Sequence, residues 1–170
     1  MAGHGTFIAG LIEQLTPGCE IRVQQVFEPE GDVGTFELSF WLWYLMEFVG
    51  PDIVNFSFGG TGRDVLFGGL IGAYHERTDV VFVAAAGNEG SCVEQYPAAL
   101  PSVVGVAGLG PSGPAEWSNY GPWVDVCSPG GRSGDPGSTS RPPPRHGHDR
   151  QSLTAPGSDQ AEKCAESFAR

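Results

Sequence analysis

The stretch that decides the fold is Val80-Val81-Phe82-Val83-Ala84-Ala85-Ala86-Gly87-Asn88-Glu89-Gly90. Val80 to Ala86 is continuously apolar, of strand length, and closes on a Gly-Asn-Glu-Gly turn. A strand without polar alternation is buried on both faces, as strands of parallel sheets are. Upstream, Ile53 to Phe58 reads as a second strand and Asp64 to Arg77 as the helix between the two. Downstream, Val103 to Ala107 and Trp123 to Val126 read as further strands. This order predicts an α/β fold, a parallel sheet with helices on both faces. In such sheets functional groups gather where strands end and helices begin. Further towards the N-terminus, Phe7, Ile8, Leu11, Ile12 and Leu15 recur at helical spacing over Thr6 to Leu15, and Pro17-Gly18 stops that helix. Ile21 to Phe27 reads as a short strand. Thr35 is placed to cap a helix over Phe36 to Val49, with Glu37 in its first turn. Phe40, Trp41, Leu42, Trp43, Leu45 and Met46 surround that helix and predict that it is buried.

The chain has 170 residues, 40% of them hydrophobic, enough for one domain with a core. Its net charge of −11 argues against a nucleic-acid partner, because phosphate binding needs surplus Lys and Arg. No apolar run is long enough to span a bilayer. No secretory signal peptide opens the chain, since Met1 leads almost directly into a motif. Cys19, Cys92, Cys127 and Cys164 are widely spaced, without a CxxC pair, so a zinc site is not expected. They read as lone buried thiols, with disulfides as the other reading. The composition changes near Gly130. Residues 1–130 carry 15 acidic and three basic side chains, whereas residues 131–170 carry five acidic and six basic ones. In 131–170 only Leu153 and Phe168 are large and apolar, too little to offset an ordering entropy of about 1–2 kcal/mol per residue. The expected division is one domain over 1–130 and a disordered C-terminal tail over 131–170. The Arg, Pro, Gly and Ser bias of that tail also fits a GC-rich gene read out of frame.

Two segments carry chemistry. Gly3-His4-Gly5-Thr6 precedes the first apolar helix. An imidazole flanked by glycines there can take a proton from a nucleophile and return it to a leaving group, or it can be a polar helix cap. Asn88 follows the buried strand, where its amide could donate to a developing oxyanion, or Asn-Glu-Gly could be an ordinary turn.

Taken together with three more segments, these resemble the subtilisin-like serine proteases, the subtilases. Gly3 to Gly10 resembles their histidine motif, Val54-Asn55-Phe56-Ser57-Phe58-Gly59-Gly60 their specificity-pocket strand, and Val83 to Gly90 their oxyanion segment. Tyr96-Pro97-Ala98 with Pro101 to Val106, and Trp117 to Pro122 with Val124 to Gly130, resemble the segments that follow. The resemblance implies a serine endopeptidase that hydrolyses peptide bonds through an acyl-enzyme. His4 would be the general base and acid, and Asn88 would stabilise the oxyanion. Ser57, Phe58 and Gly59 would hold the substrate backbone opposite Ala86 and Gly87. Partners would be peptide or protein substrates. A secreted or cell-surface setting and a structural calcium are implied by the family alone, and no cofactor or metal ligand set is read from the residues.

The resemblance also implies an aspartate ahead of the histidine and a Gly-Thr-Ser-x-x-x-Pro serine late in the chain. No acidic residue precedes His4, and Gly31-Asp32-Val33-Gly34 follows it, which reads as a loop turn. The nearest match to the serine segment is Arg150-Gln151-Ser152-Leu153-Thr154-Ala155-Pro156. Ser152 stands at the family's distance past Asn88, but Arg-Gln replaces Gly-Thr and the following residues are polar. His146 and His148 in the same region suggest at most an incidental metal site. The expectation is a truncated subtilase, inactive by itself. The alternatives are a non-catalytic remnant binding peptides along the Ser57 to Gly59 strand edge, or a protease using Ser152 with an aspartate from another chain.

Overall fold

The computed structural model describes residues 3–26, 33–110 and 113–129. The tail expected over 131–170, Ser152, His146, His148, Cys164 and the Gly31-Asp32 pair lie outside the described residues. The chain forms two compact units that divide between Pro51 and Asp52.

In the first unit, helix α1 spans His4–Leu15. It starts after Gly3, whose φ of 95° is left-handed, and no side chain caps it. Its last carbonyls are served by Thr16, whose N–H donates to Ile12 O at 2.8 Å, before Pro17 ends the helical run. Residues 19–26 run without regular structure, so the strand expected from Ile21 is not formed there. An apolar alternation makes a strand only when a neighbour completes its ladder. This segment instead lies against the start of α1: a Cβ added at Gly5 would stand 3.0 Å from Val23 Cγ1.

Helix α2 spans Thr35–Tyr44 and continues as a π-helical turn over Leu45–Val49. Gly34 occupies the cap position, and Thr35 is the first helical residue rather than the cap. Thr35 instead accepts at its carbonyl from Ser39 Oγ, at 2.8 Å. Gly50, at φ 63°, closes the π turn with an N–H bond to Leu45 O of 3.0 Å. The expected burial of this helix is not observed. Only Ser39 and Leu42 are buried in α2, while Phe36 is 77% exposed and Phe48 66% exposed. The aromatic rings pack on one another instead: Trp43 meets Phe48 edge-on at 5.5 Å and Tyr44 stacks on Phe48 at 5.2 Å.

The second unit is the parallel sheet. Strand β1 (Ile53–Phe56) leads into helix α3 (Val65–Arg77) and then β2 (Val81–Ala85), with β3 at Val104–Gly110. β1 pairs with β2 in parallel, Phe56 opposite Ala84, and β2 pairs with β3 in parallel, Ala84 opposite Gly105. The two-residue strand β4 (Gly113–Pro114) folds back antiparallel on the end of β3. β5 (Val126–Pro129) runs parallel to β3. β5 starts three residues later than the sequence pattern suggests. Trp123 sits in a turn in which Val124 N donates to Gly121 O at 3.1 Å. Asp125 then docks on Gly105, its N–H on the carbonyl and its Oδ2 accepting from Gly105 N at 2.8 Å.

Helix α3 begins where the sequence predicts, because Asp64 Oδ1 accepts from Phe67 N at 2.7 Å and so satisfies an otherwise orphaned donor. His75 and Arg77 lie in its last turn, where cations complement the helix dipole. Its apolar side packs Phe67, Ile71 and Tyr74 into the core, with Phe67 edge-on to Phe56 at 5.6 Å and Phe82 stacked on Phe56 at 6.0 Å. β1 alternates: Val54 and Phe56 are buried, whereas Ile53 is 63% exposed. Cys19 and Cys92 are exposed free thiols, not the buried ones expected.

Two substitutions test this core. Phe67→Ala should lower unfolding free energy by about 3–5 kcal/mol, through lost burial and the cavity left behind. Val65→Ala, on the exposed side of the same helix, should change it by less than about 0.5 kcal/mol. Denaturant unfolding of both variants distinguishes a packed α3 from a peripheral one, which would give equal and small effects.

Candidate active site

Parallel pairing sends β1 and β2 out at the same edge of the sheet, so Ser57-Phe58-Gly59 and Ala86-Gly87-Asn88 leave the ladder side by side. Beyond Phe56 the β1 exit is held by a two-way bridge: Gly60 N donates to Tyr96 O at 3.0 Å and Tyr96 N to Gly60 O at 2.8 Å. Ser57 Oγ accepts from Asn55 Nδ2 at 2.8 Å. The Phe58 ring lies against Phe56 at 5.6 Å and Phe67 at 6.4 Å, which ties this wall to the core under α3. Gly59 is exposed and passes close to the 95–96 backbone: an added Cβ would stand 3.4 Å from Tyr96 O. Tyr96 donates its hydroxyl to Glu94 Oε2. That bond, followed by burial and the Glu94 charge, raises the phenol above its ordinary value, and Arg63 opposes the shift.

Beyond β2, Ala86 is buried with Ala107 and Val124, and its N–H donates to Val106 O at 2.8 Å. Of the two residues expected to face Ser57 to Gly59, Ala86 therefore belongs to the core and Gly87 stands at the half-buried edge. Gly87 has φ 107°, and a Cβ there would lie 2.4 Å from Asn119 Nδ2, so only glycine fits both the backbone and the space. Asn88 comes next and is exposed. Its backbone N–H donates to Glu89 Oε2 at 3.0 Å, and its side-chain amide has no hydrogen-bond partner among the described residues. A donor in that state is available to an incoming oxygen.

The loop that presents Asn88 rests on a residue the sequence pattern does not single out. Asn119 is 0% exposed. Its Oδ1 accepts from Glu89 N and Ser91 N, both at 3.0 Å, and its Nδ2 donates to Glu89 Oε2 at 2.7 Å. Its own N–H donates to Gly87 O at 3.1 Å. Trp117 O and Ser91 O complete the strap, accepting from Gly90 N and Tyr120 N. Asn119 stands within a recognisable Trp-Ser-Asn-Tyr-Gly segment, but its partners lie 28 and 30 residues upstream, out of reach of any local pattern.

His4 opens α1 in the first unit and is half-buried. Within that unit, no carboxylate accepts a hydrogen bond from its ring among the described residues. No group of three or more His, Cys, Asp or Glu side chains comes together among the described residues, so no acidic ligand set for a structural calcium is assembled there. No described helix is long and apolar enough to cross a membrane.

Comparison with known proteins gives one consistent relationship. The chain is 31% identical over 143 residues to the subtilisin-like proteinase Mp1 of Magnaporthiopsis poae, covering 75% of this chain and 35% of that protein. It is 32% identical over 145 residues to subtilisin DY of Bacillus licheniformis, covering 75% of this chain and 51% of that protein. Among solved structures, a lanthipeptide protease superposes with a TM-score of 0.65 at 27% identity, over 78% of this chain and 44% of its own. The psychrophilic subtilisin-like protease Apa1 of Pseudoalteromonas sp. AS-11 superposes with a TM-score of 0.57 at 28% identity, over 62% of this chain and 24% of its own. The chain thus spans about a third to a half of the length of these curated relatives. The family model described as "Subtilase family" matches residues 1–168, and the chain belongs to that family.

Proposed function

We propose that this chain carries part of a serine endopeptidase site of the subtilisin kind. The observation that supports it best is the side-chain amide of Asn88, without a hydrogen-bond partner among the described residues, at the carboxyl end of β2 beside the exit of β1. In this reading an extended peptide lies along Ser57 to Gly59, with Phe58 and Gly87 bounding the pocket. Asn88 donates to the carbonyl oxygen as it becomes an oxyanion, an interaction worth about 100- to 1000-fold in rate. His4 takes the nucleophile's proton and returns it to the leaving amine. A secreted or cell-surface setting belongs to the same reading and rests on the family alone.

The reading includes inactivity of these 170 residues by themselves. The Ser152 segment carries Arg150-Gln151 in place of Gly-Thr. Ser152 falls within the family match, which keeps it as the candidate nucleophile of the competing reading. A second reading, peptide binding without hydrolysis, draws on the position of β1. It is the edge strand of the order β1-β2-β3 among the described residues, where an added strand could pair by β-augmentation.

A fluorophosphonate probe separates the Ser152 reading from the other two. The expected result is no labelling, together with binding of an extended apolar peptide that Phe58→Ala weakens about tenfold or more. Labelling that Ser152→Ala abolishes would overturn the inactivity and establish Ser152 as the nucleophile. Absence of both labelling and peptide binding would overturn the site itself.

A further inference from the structure

We infer that Asn119 is a positioning residue that clamps the 87–91 loop and, through Glu89, sets the place of Asn88. The clamp is a property of this structure, while its bearing on an oxyanion rests on the reading just given. Asn119 is fully buried, and three of the four hydrogen-bonding positions of its amide are engaged, all by the same short loop. The orientation of the amide is fixed by chemistry: the atom facing two backbone N–H groups must be the oxygen, and the atom facing the carboxylate must be the nitrogen. Glu89 Oε2 is the relay. It accepts from Asn119 Nδ2 at 2.7 Å and from Asn88 N at 3.0 Å, so the buried amide holds the carboxylate that holds the Asn88 backbone. Glu89, although exposed, is thereby held in place and becomes part of the support of the loop.

The geometry leaves little freedom around this relay. A Cβ on Gly87 would lie 2.7 Å from Glu89 Oε2 and 2.4 Å from Asn119 Nδ2, and one on Gly90 would lie 2.7 Å from Glu116 O. Both glycines have positive φ, at 107° and 60°. The loop is therefore closed around the Asn119 amide, and Asn88 remains exposed beside it. A residue buried only to fill space would contribute volume; this one satisfies Glu89 N, Ser91 N and Glu89 Oε2 together.

The test reads the backbone amides of the full chain one by one, by hydrogen exchange and by resonance position. Asn119→Ala should cost the Glu89 and Ser91 amides about tenfold or more in protection, the usual weight of a buried hydrogen bond. It should also shift the Asn88 amide resonance, while Ala86, bonded to Val106 O, keeps its protection. Glu89→Ala should shift the Asn88 amide and leave Ser91 protected, and Glu89→Gln, which retains an acceptor oxygen, should restore the Asn88 position. Unchanged protection at Glu89 and Ser91 in Asn119→Ala would overturn the clamp. If that variant also loses protection at Ala86, Glu89→Ala decides: a selective shift of Asn88 supports the relay, and no shift overturns it. Titration with an extended apolar peptide reports on the function separately, because a wild-type chain with a protected loop and no binding contradicts the peptide site and not the clamp.

Discussion

Parallel pairing of β1, β2 and β3 is the constraint from which the rest follows. With Phe56 opposite Ala84 and Ala84 opposite Gly105, three strands point the same way. Their carboxyl ends then open at one edge, and whatever follows each strand is brought together without further design. The pairing survives because its buried side is filled from α3, by Phe67, Ile71 and Tyr74 against Phe56 and Phe82. The strand exits are then fixed by polar contacts, Tyr96 on Gly60 after β1 and Asn119 on the 87–91 loop after β2. Apolar burial sets the frame, and a small number of satisfied buried polar groups sets the edge.

The two units differ in how far their apolar residues are used. In the sheet unit Phe56, Phe67 and Phe82 are buried and pack ring against ring. In the first unit the aromatic residues of α2 and its π turn pack mainly on each other and remain partly exposed. The family's histidine motif lies on α1 of that unit, and the oxyanion and pocket segments lie in the other. The residues proposed for proton transfer and for oxyanion binding thus fall in separately organised pieces of the chain.

Much of this was legible in the sequence, for identifiable reasons. β2 is readable as a strand from the apolar run Val80 to Ala86, although it alternates rather than being buried on both faces and leaves Val81 43% exposed, and α3 is readable because Asp64 is a cap followed by an apolar face. The exit positions of Ser57 and Asn88 follow from those elements. Other features depend on partners that no local window contains. Ile21 onward alternates like a strand but finds no ladder among the described residues, and α2 carries enough apolar side chains for a core helix yet leaves Phe36 exposed. β5 starts at Val126 because Asp125 is held by Gly105, some 20 residues earlier. Asn119 is the clearest case: as a polar residue between Ser118 and Tyr120 it reads as loop, and only the folded chain shows it enclosed by Gly87, Glu89 and Ser91.

The central claim is that the shared edge beyond β1 and β2 receives an extended peptide and presents Asn88 to it. Mapping amide shifts across the chain during titration with such a peptide tests this most directly. The account predicts that the largest changes fall on Ser57 to Gly59 and on Gly87 and Asn88, with the α2 aromatics unaffected. Saturable changes centred on α2, with the β1 and β2 exits silent, would contradict it.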